Sequence, residues 1–174
     1  MFKFFFRMIF GKPRKRSPRF TPKVARAERL LEVQVLWVHD GDGFKARSSQ
    51  GDLEIRLYGV DAPEFDQPWG EEAKNHLLRR IMNRQVYLET FGQDIHGRTL
   101  ATVFVMTDGQ LLNINEDMVV CGQAWYVGLY AQELTTRRKH HLKGLDRWAR
   151  LKRVGLWKME KPIPPWEWRK RNSA

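Results

Sequence analysis

The sequence predicts an α+β fold in which a β-meander precedes a set of helices. Three observations carry that prediction. Short stretches between residues 30 and 59 alternate apolar and polar side chains with a period of two, and glycine-containing turns separate them. From residue 70 the apolar spacing changes to that of an amphipathic helix. The chain has 174 residues, 42% of them hydrophobic, with seven tryptophans, which suits one folded domain with a real core rather than a disordered chain.

Taken in order, residues 30–38 (LLEVQVLWV) read as a first strand, 43–49 as a second and 53–59 as a third, with Gln50–Asp52 as the hairpin turn. Leu53, Ile55 and Leu57 alternate with Glu54, Arg56 and Tyr58. Gly59 breaks this pattern and Pro63 removes a ladder donor, so the strand runs into a turn. Residues 70–82 form a helix with Ala73, Leu77, Leu78, Ile81 and Met82 on one face. Glu71 and Glu72 at its start and Arg79 and Arg80 near its end suit the macrodipole. Val86–Glu89 is a fourth strand and Leu100–Met106 a fifth. Asn113–Val120 is a short helix ending at Gly122, and 133–153 a longer one with Leu134, Leu142, Leu145, Trp148, Ala149 and Leu151 on its apolar side. Five strands followed by helices is the order of a small closed barrel of the OB type; pattern alone supports an α+β meander. No internal repeat or low-complexity tract appears.

The chain divides by charge into an arm, 1–29, a domain, 30–160, and a Pro/Trp-rich tail, 161–174. Net charge is +11. Residues 1–29 carry ten Lys/Arg and one acid, residues 137–174 thirteen and three, and the middle, 30–136, eight and sixteen. An acidic centre suits a cation, and two basic flanks suit a polyanion such as nucleic acid. The arm, MFKFFFRMIFGKPRKRSPRF, is interrupted by Lys3 and Arg7, falls short of the ~20 apolar residues of a membrane span, and lacks a signal-cleavage site. It reads as a disordered basic arm, with contact to an anionic membrane surface, folding back on the domain and removal as a signal as the alternatives. Location is left as cytoplasmic or membrane-associated, with secretion open. The single cysteine, Cys121, forms no internal disulfide and reads as a small buried hydrophobe. The ending KPIPPWEWRKR reads as an extended strap whose Trp166 and Trp168 cover the barrel or the last helix, with a base-stacking platform as the sharper alternative.

Chemistry concentrates in IRLYGVDAPE, residues 55–64. A fixed guanidinium, Arg56, precedes two carboxylates, Asp61 and Glu64, on a proline-stiffened loop. An Arg fork grips phosphate oxygens, one carboxylate serves a hard cation and another takes a proton from water. Asp42 lies upstream in HDGDG, where Asp40 is the turn residue, and Arg98 lies downstream in DIHGR. The order DGD, RLYGVDAPE, DIHGR and GQAW (122–125), over roughly residues 30 to 168, resembles the staphylococcal nuclease family.

That resemblance implies an OB-fold, a five-stranded β-barrel with about three α-helices. It implies one Ca²⁺ ion on Asp42, Asp61 and the backbone carbonyl of Ala62, Glu64 as general base, and Arg56 and Arg98 as stabilisers of the phosphoryl transition state. The expected activity is Ca²⁺-dependent hydrolysis of DNA and RNA with little base specificity, single strands preferred, by a monomer that leaves 3′-phosphate ends. There are departures. Gly43 stands where the family usually has Thr or Ser after DGD, which removes a hydroxyl from the turn. Ile95 and His96 replace the Lys and Tyr of the family's DKYGR, leaving His96 as the substrate-phosphate donor. No rival His or Cys metal cluster is expected. Two other readings stand beside this one: a non-catalytic nucleic-acid-binding module with the same fold, and a membrane-surface or conjugation-linked factor with an accessory nuclease domain.

Overall fold

A computed structural model describes residues 30–172. The arm, 1–29, with its proposed membrane contact, lies outside the described residues. Strands β1 (Leu31–Val38), β2 (Gly43–Ser48) and β3 (Gly51–Leu57) form an antiparallel meander, followed by the two-residue β4 (Val60–Asp61). Helix α1 (Gly70–Ile81) precedes β5 (Val86–Gln93), β6 (Thr99–Thr107) and β7 (Gln110–Asn113). Then come α2 (Ile114–Val120), β8 (Trp125–Tyr126), α3 (Thr136–Leu151) and α4 (Pro165–Asn172).

The sheet runs β3-β2-β1-β5-β6-β7, and β3 also pairs with β6, which closes the first five strands into a barrel. The closing pair is parallel, with Ile55 opposite Thr99 and Leu57 opposite Ala101. Closure removes two strand edges that would otherwise expose unpaired backbone groups. The alternation read from the sequence puts Val33, Val35, Phe44, Ala46, Ile55, Leu57, Val103 and Val105 in the core. Helix α1 adds Ala73, Leu77 and Ile81, and α2 adds Ile114, Met118 and Val119.

Asn115 is the polar pin of this core and is 2% exposed. Its amide donates to the carbonyls of Tyr58 (3.0 Å) and Ala101 (3.1 Å), and its oxygen accepts from the Val103 N–H (2.9 Å). It therefore fastens α2 to β6 and to the end of β3, and gives three backbone groups of the core a partner. A second cluster, Trp125, Ala149, Leu156 and Trp157, lies where α3 meets the segment after it.

The structure extends the expected five strands with β4, β7 and β8, and lengthens the fourth strand to Gln93. It also overturns one reading. The tail is not extended from end to end, because Pro165–Asn172 is helical. Pro165 opens the helix, where its missing N–H breaks no hydrogen bond. Glu167 in the first turn and Arg169, Lys170 and Arg171 in the last suit the macrodipole. No described helix is long and apolar enough to cross a membrane.

Candidate active site

The turn between β1 and β2 carries Asp42. Asp40 behaves as the turn residue, its Oδ1 accepting the Asp42 N–H at 2.9 Å. The Asp42 carbonyl accepts the Leu57 N–H at 2.8 Å, which fixes the turn to β3. Gly41 is required by close approach: a Cβ there would stand 2.7 Å from the Cβ atoms of both Ala62 and Ala73. The turn therefore lies flat against the loop after β4 and against α1. This approach lets Asp42 Oδ2 accept the Ala62 N–H at 2.5 Å. At Gly43 an added Cβ would lie 3.0 Å from Asp40 Oδ1, so glycine leaves room for the Asp40 carboxylate that caps the turn.

The loop 61–69 carries the other two carboxylates. Asp61, on β4, is 1% exposed. Glu64 is held from below, because its N–H donates to Gln67 Oε1 (3.1 Å) and its carbonyl accepts from the Gln67 N–H (3.0 Å). Gly70 at the start of α1 abuts the Glu64 carbonyl, and any side chain there would collide with it.

Arg56, on β3, bridges two of these groups. One nitrogen pairs with Asp42 Oδ1 and the other with Asp61 Oδ1 at 2.6 Å. Burial pulls its pKa below the ordinary value, against the opposing attraction chiefly of Asp61. Arg98 approaches from the turn between β5 and β6. Asp94 sets its position, accepting the Arg98 Nε–H (2.8 Å) and the backbone N–H groups of Arg98 and His96 (2.9 Å each). Partial burial pushes the Asp94 pKa up, but these hydrogen bonds outweigh it and hold the pKa below the usual carboxylate value. Asp42, Arg56, Ala62, Glu64, His96 and Arg98 all line one cleft of about 690 Å³. Asp61 does not line the cleft itself but is buried and bound to Arg56, which does. Exposed Ile95, Leu129 and Tyr130 form an apolar rim.

One cleft residue escaped the sequence reading. Arg169, on α4, reaches Asp61 Oδ2 through one terminal nitrogen at 2.9 Å, and through the other reaches Asp61 Oδ1 at 3.4 Å and pairs with Glu64 Oε1. Burial opposes its charge, but hydrogen bonds to Asp61, then Glu64, raise its pKa above the ordinary arginine value. The one available signal was the density of basic residues in WEWRKR, which does not say which of them turns inward. The two tail tryptophans serve as anchors. Trp168 donates to Asp66 Oδ1 at 3.2 Å, and Trp166 meets Trp125 edge-on with ring centroids 6.4 Å apart.

The expectation of no rival His or Cys cluster is corrected. His76, Asp117 and Cys121 bring ligand atoms within 4.8 Å of one another, a group that could hold a metal ion. Asp117 and Cys121 stand one turn apart at the end of α2, and packing of α1 on α2 brings His76 to them from 41 residues away. Arg80 already supplies positive charge there, its Nε 2.8 Å and one terminal nitrogen 3.2 Å from the two Asp117 oxygens. Cys121 is half-buried rather than a fully buried hydrophobe, with its Sγ 3.9 Å from Asp117 Oδ1.

Comparison with known proteins agrees with this geometry. The family model described as "Staphylococcal nuclease homologue" matches residues 54–159. "Protein ParB" of Escherichia coli is 32% identical over 148 residues, covering 82% of this chain and 81% of that protein. A protein described as "Uncharacterized endonuclease" from Escherichia coli O157:H7 is 33% identical over 81% of this chain and 86% of its own. "Micrococcal nuclease" of Shigella flexneri is 30% identical, with 79% of each chain covered. Barrel, motif order and sequence likeness together make this chain a member of the staphylococcal nuclease homologue family.

Proposed function

We propose that this chain is a Ca²⁺-dependent nuclease that hydrolyses DNA and RNA phosphodiesters with little base specificity and leaves 3′-phosphate ends. The observation that carries the reading is the convergence of Glu64, Asp42, Arg56 and Arg98 on one cleft, with buried Asp61 held by Arg56. A binding module has no need of a carboxylate poised beside two buried acids and two arginines. We take the domain as 30–160 and the tail as 161–174, whose described part, 161–172, is tied to the loop after β4 by Gln67 and Trp168.

The donor set fits a hard cation. Asp42 and Asp61 are 5% and 1% exposed, both offer oxygen, and one buried guanidinium already touches both, so the fold concentrates negative charge that needs a counter-charge. Asp42, Asp61 and the Ala62 carbonyl would hold the ion. When bound, Ca²⁺ would supply Lewis-acid polarisation of the scissile phosphate. Glu64 accepts the proton of the attacking water. Arg56 and Arg98 donate to the phosphoryl oxygens as charge builds in the five-coordinate transition state. Asp94 aims the Arg98 guanidinium. His96, at the rim, donates to a substrate phosphate. The flat apolar rim of Ile95, Leu129 and Tyr130 meets unstacked bases through their faces, which favours single strands and tolerates every base. The enzyme works as a monomer.

The test is incubation of the purified protein with single-stranded DNA in Ca²⁺ or in excess chelator, followed by end-group analysis. Cleavage that needs the cation and leaves 3′-phosphates is expected. Undiminished cleavage in chelator refutes the cation assignment, and 3′-hydroxyl ends refute the direction of attack.

A further inference from the structure

We propose that Arg169 is an intramolecular competitor of the divalent cation: the C-terminal helix supplies a guanidinium that occupies Asp61 until the ion takes its place. The proposal rests on the cation reading above and deepens it. Three features of the structure lead to it.

Arg169 covers both oxygens of Asp61, at 2.9 and 3.4 Å, while Arg56 takes Oδ1 of the same carboxylate at 2.6 Å. With two guanidinium groups on one carboxylate, a cation reaching Asp61 meets positive charge already in place. The two arginines differ in freedom. Arg56 sits on a barrel strand with its side chain 14% exposed and clamped between two buried carboxylates. The Arg169 side chain is 42% exposed, so it can swing out to solvent.

The helix is also tied to the carboxylate loop rather than resting there by chance. Buried Gln67 accepts the Glu64 N–H through Oε1 and donates through Nε2 to the Ile163 carbonyl at 2.5 Å. Trp168 donates to Asp66, two residues beyond Glu64. The loop that carries Glu64 and the tail that carries Arg169 therefore share their supports. A change in one is felt by the other.

The charge balance gives the device a purpose. Without a cation, Asp42, Asp61 and Glu64 are linked through Arg56 and Arg169, and Arg169 relieves the repulsion between Asp61 and Glu64. Once an ion provides that charge, Arg169 is released at the mouth of the cleft, where an incoming phosphate can take it up. Competition is reciprocal: the factor by which docked Arg169 weakens cation binding equals the factor by which a bound cation weakens the docking of Arg169.

The experiment is a calorimetric Ca²⁺ titration of the full chain in three forms: wild type, R169Q and W168F. R169Q removes the charge and keeps the length. W168F keeps Arg169 and removes one anchor of its helix. We expect the Ca²⁺ Kd to fall by about 5- to 150-fold in R169Q, the usual range for a coupling between two sites, and by a smaller factor in W168F. Hydrogen exchange of amides in 165–172 should rise in wild type on adding Ca²⁺, as the helix loses its hold. Equal Kd values in all three proteins refute the competition, as does weaker binding in R169Q, which would make Arg169 a support of the ion site. If no form binds Ca²⁺, the cation reading itself fails and the competition falls with it. Binding by R169Q alone is the strongest support.

Discussion

Arg56 is the residue on which stability and the proposed chemistry meet, and Arg56→Lys separates the two. In the present structure the guanidinium spans Asp42 and Asp61 with a nitrogen for each. A lysine ammonium is a point charge and serves only one of them well. The lost contact is a charge-assisted hydrogen bond inside the protein, worth about 1.5–3 kcal/mol. With a urea m-value of about 2 kcal/mol/M, the unfolding midpoint in chelator should fall by roughly 1 M. Saturating Ca²⁺ should return part of this loss, because it restores positive charge between the carboxylates. The rate should not return. Losing one preorganised donor to the transition state costs about 10²–10³ in kcat. The assay is single-turnover cleavage of an end-labelled single strand at saturating Ca²⁺, beside urea titrations with and without the ion. A cleavage rate within about threefold of wild type would show that Arg56 only balances charge, and would refute its assignment to the transition state.

Replacing Glu64 by Gln should lower kcat by about 10²–10⁴, the scale of general-base loss, while KM changes little; steady-state kinetics at wild-type levels would remove Glu64 from that role. Replacing Asp94 by Ala takes away the acceptor of three donors and should misplace Arg98, lowering kcat by about 10². Because the Asp94 pKa is lowered on folding, its contribution to stability is present above its ordinary value of 3.8 and lost as pH falls through the folded value, so the variant should show a shallower acid loss of Tm. An identical acid profile would contradict this. Asn115→Ala leaves the Val103 N–H and the Tyr58 carbonyl without their partner, at about 1–3 kcal/mol each, and should move the urea midpoint down by about 1.5 M; a shift under about 0.3 M would mean the pin is dispensable.

Much of the molecule was legible in the chain itself. The alternation of Leu53, Ile55 and Leu57 marks a strand with one buried face, and the spacing of Ala73, Leu77 and Ile81 marks a helix with one buried stripe. Both patterns depend on residues two to four places apart, where backbone geometry alone decides which side chains share a face. The candidate site was also legible in its parts. Asp42, Arg56, Asp61, Glu64 and Arg98 sit in short motifs in which a turn or a strand end fixes each side chain, and Asp40 acts locally as the turn residue.

The tertiary structure decided what no window of sequence contains. The β3–β6 pairing that closes the barrel joins Ile55 to Thr99, and nothing in either strand names the other. Helix α4 looked extended because Pro164 and Pro165 read as breakers, yet the second of them starts the helix. The His76–Asp117–Arg80 network and the reach of Arg169 to Asp61 exist only after distant elements pack. A local pattern specifies the face on which a charge lies. Which opposite charge it meets across more than a hundred residues, as Arg169 meets Asp61, is set by chain closure and packing, whose cost the whole core must offset before the contact can form.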